Sequence, residues 1–286
     1  MQQKKPLSIF FILLVTGFIT PTACVTSRSD AGYFRTQQRL TKTATDSLKA
    51  SIRTISNDVF KPYQYTGHNN ITINYRLLAP EQVNGKDRYP LVLVLHGSGA
   101  IGTDNTSQLG ILAKLWAQPA IREKYPAYVV APQFPQRSSN YALDSTRNVL
   151  VSTPDACLST ALQLIDSLKK VLPVNDRKVY VIGFSMGGSG TINAIVLRPD
   201  LFTAGVAISG IPAFNQLNTL AQTPIWIIHG NADTENPINT DLLLYKELQS
   251  LHSRHTRFWE VDSLEHDIYY RLYTGDAIPK WLFRQR

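Results

Sequence analysis

A chain of 286 residues with 43% hydrophobic and 17% charged residues has the composition of a folded globule, and its 16 Gly and 16 Pro follow no repeat. This excludes disorder, collagen-like repeats and coiled coils, and the length suits one α/β domain with an N-terminal extension. The net charge of +8 is dispersed, with basic clusters no longer than pairs such as Lys4-Lys5 and Lys169-Lys170, so no nucleic-acid partner is expected.

The first residues indicate a compartment. Met1 to Lys5 carry two lysines and no acid, Leu7 to Thr20 form an apolar run of 14 residues, and Pro21-Thr-Ala-Cys24 closes the segment. This is the three-part pattern of an export signal over residues 1–23. The run falls short of the roughly 20 residues a spanning helix needs. Ala23-Cys24 resembles a bacterial lipoprotein processing site, which would place a lipid on Cys24. The expected product is exported, as a cell-envelope lipoprotein or a periplasmic or secreted protein, and meets a membrane only through that lipid. Residues 24–58 are rich in Ser, Thr, Arg and Lys, with Leu48, Ile52 and Ile55 as the few apolar positions, and read as a polar tether with room for one helix. No disulfide is expected. Cys157 shares helical spacing with Ala161, Ile165 and Leu168, the pattern of a buried core residue.

Residues 59–286 read as the main domain. Strands are expected at Ile71–Leu78, Leu91–Leu95, Tyr128–Ala131, Val179–Ile182, Ala204–Ile208, Ile225–Ile228 and Arg257–Val261. Helices fit between them at Gln108–Gln118, Pro154–Leu172, Met186–Leu197 and Asp241–Leu251, with Thr153 as the cap of the second. Continuous apolar strands joined by helices imply a mostly parallel sheet covered on both faces, with ligands at the carboxyl ends of its strands.

Gly183-Phe184-Ser185-Met186-Gly187 is a G-x-S-x-G turn directly between an expected strand and an expected helix, the setting of a nucleophile elbow. A serine hydroxyl needs a base, and the base needs a carboxylate. After the strand Ile225–Ile228, His229-Gly-Asn-Ala-Asp233 puts Asp233 in a strand-end loop, with Glu235 as second candidate. His266 follows the last strand and is the expected base, whereas His252 and His255 precede that strand and lie at its amino end. For the oxyanion, donors are expected from the backbone N–H of Met186 and of Ser98, with Gly99 as alternative to Ser98, in the glycine-rich turn His96-Gly97-Ser98-Gly99. His96 and His229 should brace their loops.

The stretches Tyr89–Gly99, Gly102-Thr-Asp-Asn105, Ala131-Pro-Gln133, Gly183–Gly188, Pro224–Gly230 with Asp233, and His266 together resemble the α/β-hydrolases. The resemblance is to the secreted esterase and "predicted peptidase" group, near phospholipase/carboxylesterase, dienelactone hydrolase and polyhydroxybutyrate depolymerase-like enzymes, and it covers about residues 71–286. It implies a serine enzyme that hydrolyses carboxylic esters without cofactor or metal. Two positions differ from the family's pattern, Asn236-Pro237 in place of Val-Pro and Asp267 in place of Asn.

A lid is usually inserted between the sixth and seventh strands of such enzymes, and here Gly210–Pro224 spans only 15 residues, room for one short helix. No large lid domain is expected, and the open pocket suits short acyl chains or an ester attached to a polymer. The long loop Pro135–Ser152, with Arg137, Tyr141 and Arg147, is the expected substrate wall, and Tyr141 and Arg137 its substrate-binding residues. The alternatives are a peptidase for short peptides using the same triad and a non-catalytic surface-binding module.

Overall fold

The computed structural model describes residues 32–286. The expected export signal over residues 1–23 and Cys24 lie outside the described residues. The chain begins with β1 (Tyr33–Gln37), α1 (Lys42–Arg53), β2 (Lys61–Thr66), β3 (Thr72–Leu78) and β4 (Tyr89–Leu95). Then come α2 (Ile111–Leu115), α3 (Pro119–Lys124), β5 (Tyr128–Gln133), β6 (Ser139–Asp144), β7 (Val149–Pro154) and α4 (Ala156–Val171). It continues through β8 (Val174–Phe184), α5 (Met186–Leu197), β9 (Ala204–Ile208), α6 (Leu217–Gln222) and β10 (Ile225–Gly230). Last are α7 (Ile238–Ser250), β11 (Thr256–Asp262) and α8 (Ala277–Leu282).

Nine strands form one sheet in the order β1-β11-β10-β9-β8-β4-β5-β3-β2. It is parallel from β1 to β5, and at the other edge β3 pairs antiparallel with both β5 and β2. Period-two side chains divide the apolar residues between two cores. Leu91, Leu93 and Leu95 of β4 pack with α4, α5, α6 and α7, while Val92 and Val94 face the other side with α1, α2, α3 and α8. Each fully buried Leu, Ile or Val adds about 1.5–3 kcal/mol of hydrophobic stabilisation.

Four expectations are corrected here. The tether over 24–58 is folded from Tyr33 onward: β1 extends the sheet beside β11, Tyr33 stacks on Phe258 at 5.6 Å, and α1 buries Ile52. Few apolar residues suffice because an edge strand and one helix stripe need only a few anchors. Lys114 completes the docking, its ammonium capping the carbonyls of Arg53 and Ile55 at 2.7 and 2.8 Å. The loop Pro135–Ser152 is largely the hairpin β6–β7, closed by a turn in which Asp144 Oδ1 accepts the N–H groups of Thr146 and Arg147. Asn193 of α5 anchors it by donating to Ser139 and Ser152 at 3.0 Å each. The cap of α4 is Asp155, which accepts from Cys157 N–H, while Thr153 and Pro154 belong to β7. The single helix expected over Gln108–Gln118 is shorter, and Pro119 opens a second one at its first position.

Between β9 and β10 the interval holds only α6, of six residues. Cys157 is buried, and burial pushes its thiol up to about 12, as suits a packing residue.

Candidate active site

The carboxyl ends of β8, β10 and β11 bring three side chains together. Ser185 stands between β8 and α5 with φ 57° and ψ −121°, a conformation L-residues rarely adopt, which the elbow imposes by crossing strand and helix tightly. The crossing requires glycine at two places: a Cβ on Gly183 would lie 2.1 Å from Gly187 O, and one on Gly187 would lie 2.1 Å from Leu95 O.

His266 Nε2 lies 2.8 Å from Ser185 Oγ, and His266 Nδ1 lies 2.7 Å from Asp233 Oδ2. The hydroxyl therefore donates to Nε2 while Nδ1–H donates to the carboxylate. The Phe184 ring packs against the imidazole with centroids 4.9 Å apart. Asp233 Oδ1 is filled by the N–H groups of Glu235 and Asn236 at 3.0 and 2.9 Å. Burial pushes the Asp233 carboxyl up, but hydrogen bonds from His229, His266 and Asn236 N–H outweigh it and hold the group well below the usual carboxylate range. Glu235 stands at the rim, 3.7 Å from His266 Nε2 and 73% exposed, so Asp233 holds the carboxylate position in this chain of three.

Met186 opens α5, so its N–H belongs to the helix's first turn, which has no intrahelical acceptor. Ser98 opens a short 3-10 turn, Ser98–Ala100, and the preceding Gly97 comes so near that a Cβ there would sit 3.6 Å from Ser185 Cβ. Ser98 faces the same cleft as Ser185. His96 braces this loop, as its position before a glycine suggests: Nδ1–H donates to Gly97 O at 2.8 Å and Nε2 accepts Phe134 N–H at 3.0 Å. Burial pushes its pKa down, in keeping with a neutral ring.

The cleft over Ser185, about 470 Å³, is lined by Ser98, Arg137, Asn140, Tyr141, Glu235 and Asn236. Arg137 and Tyr141 thus lie where the sequence places them. The Arg137 guanidinium sits 4.8 Å over the Tyr141 ring, and the Tyr141 hydroxyl meets Ser189 Oγ at 3.0 Å. Arg147 points elsewhere, bound to Asp144 and Glu247 at 3.0 Å each. A second cavity of about 340 Å³ adjoins the other flank of the Gly97–Ala100 loop, between Phe184, Ile111, Ile268 and Lys49 of α1.

The two departures from the family's pattern both have partners. Asn236 donates its side-chain amide to Ser209 O at 2.7 Å, and Asp267 pairs with Lys49. Sequence reasoning missed Lys49, Asn140 and Asp241. Asp241 carried a signal: it shares helical spacing with Leu244, Tyr245 and Leu248, a lone acid on the buried stripe of α7.

Residues 67–264 match a family described as "Putative esterase". The chain belongs to this esterase family. A structure titled "Crystal Structure of a Thermostable Esterase" superposes with a TM-score of 0.72 at 30% identity, covering 80% of this chain and 63% of the other. The fold is that of the α/β-hydrolases. "Putative esterase NocK" of Nocardia uniformis subsp. tsuyamanensis is 27% identical over 154 residues, 52% of this chain and 42% of the relative. "Bifunctional acetylxylan esterase/xylanase XynS20E" of Neocallimastix patriciarum is 31% identical over 87 residues, 30% of this chain and 12% of the relative. The chain thus spans less than half the length of either curated relative.

Proposed function

We propose that this esterase-family chain is a serine carboxylesterase that forms an acyl-enzyme on Ser185. The observation that carries the reading is the chain of hydrogen bonds Ser185–His266–Asp233, with both links under 3 Å. His266 Nε2 takes the hydroxyl proton as Ser185 Oγ attacks the ester carbonyl, and Asp233 holds the tautomer and stabilises the imidazolium. The negative oxygen that forms is received by the N–H groups of Ser98 and Met186, each donor of this kind being worth roughly 3 kcal/mol in the transition state. His266 then returns the proton to the leaving alcohol. Water, activated by the same ring, attacks the acyl-enzyme, releases the acid and restores Ser185.

The polar lining of the cleft supports a hydroxylated alcohol portion, free or part of a polymer, since Arg137, Asn140, Tyr141 and Glu235 offer donors and acceptors but little apolar wall. The acetylxylan esterase in the name of the Neocallimastix relative is consistent with such an alcohol. The export pattern over residues 1–23 supports work outside the cytoplasm.

The test is direct. Purified protein should hydrolyse p-nitrophenyl acetate, a fluorophosphonate should add to Ser185 as shown by mass spectrometry, and Ser185→Ala should lose both, with kcat down at least about 10⁴-fold. Hydrolysis that survives Ser185→Ala would end this reading. Aminoacyl anilides in the same panel separate it from a peptidase.

A further inference from the structure

His229, near the end of β10, is completely buried, and no step above uses it. Its ring meets acceptors at both nitrogens. Nε2 faces the Asn236 carbonyl at 2.8 Å, and Nδ1 faces Asp241 Oδ2 at 2.7 Å. A carbonyl can only accept, so Nε2 carries a hydrogen, and Nδ1 opposite a carboxylate calls for a second. The same Nε2 stands 3.3 Å from Asp233 Oδ2, the very oxygen that His266 Nδ1 holds at 2.7 Å. Two imidazoles converge on one carboxylate oxygen. Burial opposes a charge on His229 and pushes the Asp241 carboxyl up, but the short contacts that tie the ring to Asp233 and Asp241 favour the ion pair and push the ring up to about 9.

We propose, on the reading that His266 is the base, that His229 is a positioning residue of the reaction: an imidazolium, held by Asp241, that fixes the Asp233 carboxylate and competes with His266 for its charge. Asp241 makes this possible by giving the buried cation a second counter-charge, so the added positive charge is not left to Asp233 alone. The imidazolium that forms on His266 then meets a carboxylate already shared. His266 then gives its proton up to the leaving alcohol more readily. The other charged groups nearby are engaged or at the rim. Glu235 lies exposed at 3.7 Å from His266, and Asp267 is bound to Lys49. Glu260, beside His229 in the β10–β11 register, has its carboxylate bonded to Tyr33 and Asn231.

The experiment compares kcat/KM for p-nitrophenyl acetate against pH in wild type and His229→Gln, with active sites counted by fluorophosphonate labelling. Gln keeps a donor for the Asn236 carbonyl but carries no charge. The acidic limb should move up by about half to one pH unit, with KM changed less than about twofold and labelling retained. An unmoved limb in a labelled variant overturns the proposal, because a residue that only packs the loop would lower stability and leave the limb in place. Should His229→Gln fail to fold, the ¹⁵N spectrum of the wild-type histidines decides. His229 should carry protons on both ring nitrogens at pH 7.5, and a singly protonated ring overturns the proposal. Wild-type hydrolysis that persists in Ser185→Ala would instead end the esterase reading, and the spectrum would still report on His229.

Discussion

Lys49 and Asp267 form an ion pair with Nζ 2.6 Å from Oδ1, joining the first helix to the residue directly after His266. Both partners are substantially covered, the side chains being 10% and 30% exposed, so removing one strands the other. Lys49→Met should cost about 1–3 kcal/mol, seen as a Tm lower by several degrees. Because the pair steadies the loop that carries the base, kcat/KM should also fall by about three- to tenfold. A double-mutant cycle with Asp267→Asn checks the coupling: the double variant should lose little more than either single one, and strictly additive losses would show that the two side chains act separately.

That pair marks a limit of what the sequence discloses. The strands β4, β5, β8, β9, β10 and β11 stand out as unbroken apolar runs because both their faces are covered, and Ser185, Asp233 and His266 follow from the order of strand ends. β1 does not stand out, since Tyr33 is a single anchor in polar surroundings whose partner Phe258 is distant in sequence; α1 is the one helix expected around Leu48 and Ile52, but its docking on the second core is not visible in the sequence. The hairpin β6–β7 was hidden for a related reason. Its residues Ser139 and Ser152 are held by hydrogen bonds to Asn193, and only Val149 and Val151 of β7 reach the apolar core, too short a run to betray two strands. His229 reads as a loop brace, but its two carboxylate neighbours become visible only when α7 folds back with Asp241.

Gly187 has no room for a methyl group, since its Cβ would meet Leu95 O at 2.1 Å and that oxygen belongs to a central strand that cannot yield. Gly187→Ala should therefore destabilise by more than about 4 kcal/mol and abolish activity. Gly85→Ala is the control: nothing lies within 4 Å of its added Cβ, and its stability should stay within about 0.5 kcal/mol of wild type. Thermal melts of the two variants measure the contrast, which equal Tm values would contradict.

Stability should depend on pH through the buried His229 site. The ring sits near 6.5 in an unfolded chain and is pushed up to about 9 in the folded one, so the folded state holds this proton more tightly. Its stabilisation is then complete below about pH 6.5 and lost as pH rises through about 9. Asp233 has the opposite sign. Its lowered carboxyl stabilises the fold above the ordinary carboxylate range and loses that contribution only in strong acid. Melts from pH 5 to 10 should show a plateau up to about 7 and a decline beyond, and His229→Gln should flatten the decline. An equal decline in the variant would assign it to other groups.

Export and lipidation make a separate prediction. Expressed with its first 23 residues in a bacterial host, the protein should partition into detergent, and Cys24→Ala should release it to the aqueous phase. A water-soluble wild type whose mature N-terminus lies elsewhere would leave export in place and remove the lipid.

The acyl preference follows from what covers Ser185. The interval between β9 and β10 contributes only the six-residue α6, and the cleft itself is walled by Arg137, Asn140, Tyr141 and Glu235, which leave little apolar surface along which an alkyl chain could extend. A dissolved ester reaches the hydroxyl without waiting for an interface, so rates should follow simple saturation with no jump at the solubility limit. Each methylene that finds apolar cover adds about 0.8 kcal/mol, close to fourfold in kcat/KM, and one that stays in water adds nothing. The gain should stop by roughly four to six carbons, where polar lining replaces apolar wall. Measuring kcat/KM for p-nitrophenyl esters from acetate to palmitate locates the maximum. A maximum at about twelve carbons or beyond would mean that the chain passes the Gly97–Ala100 loop into the cavity between Phe184, Ile111, Ile268 and Lys49, and that α1 forms part of an acyl channel.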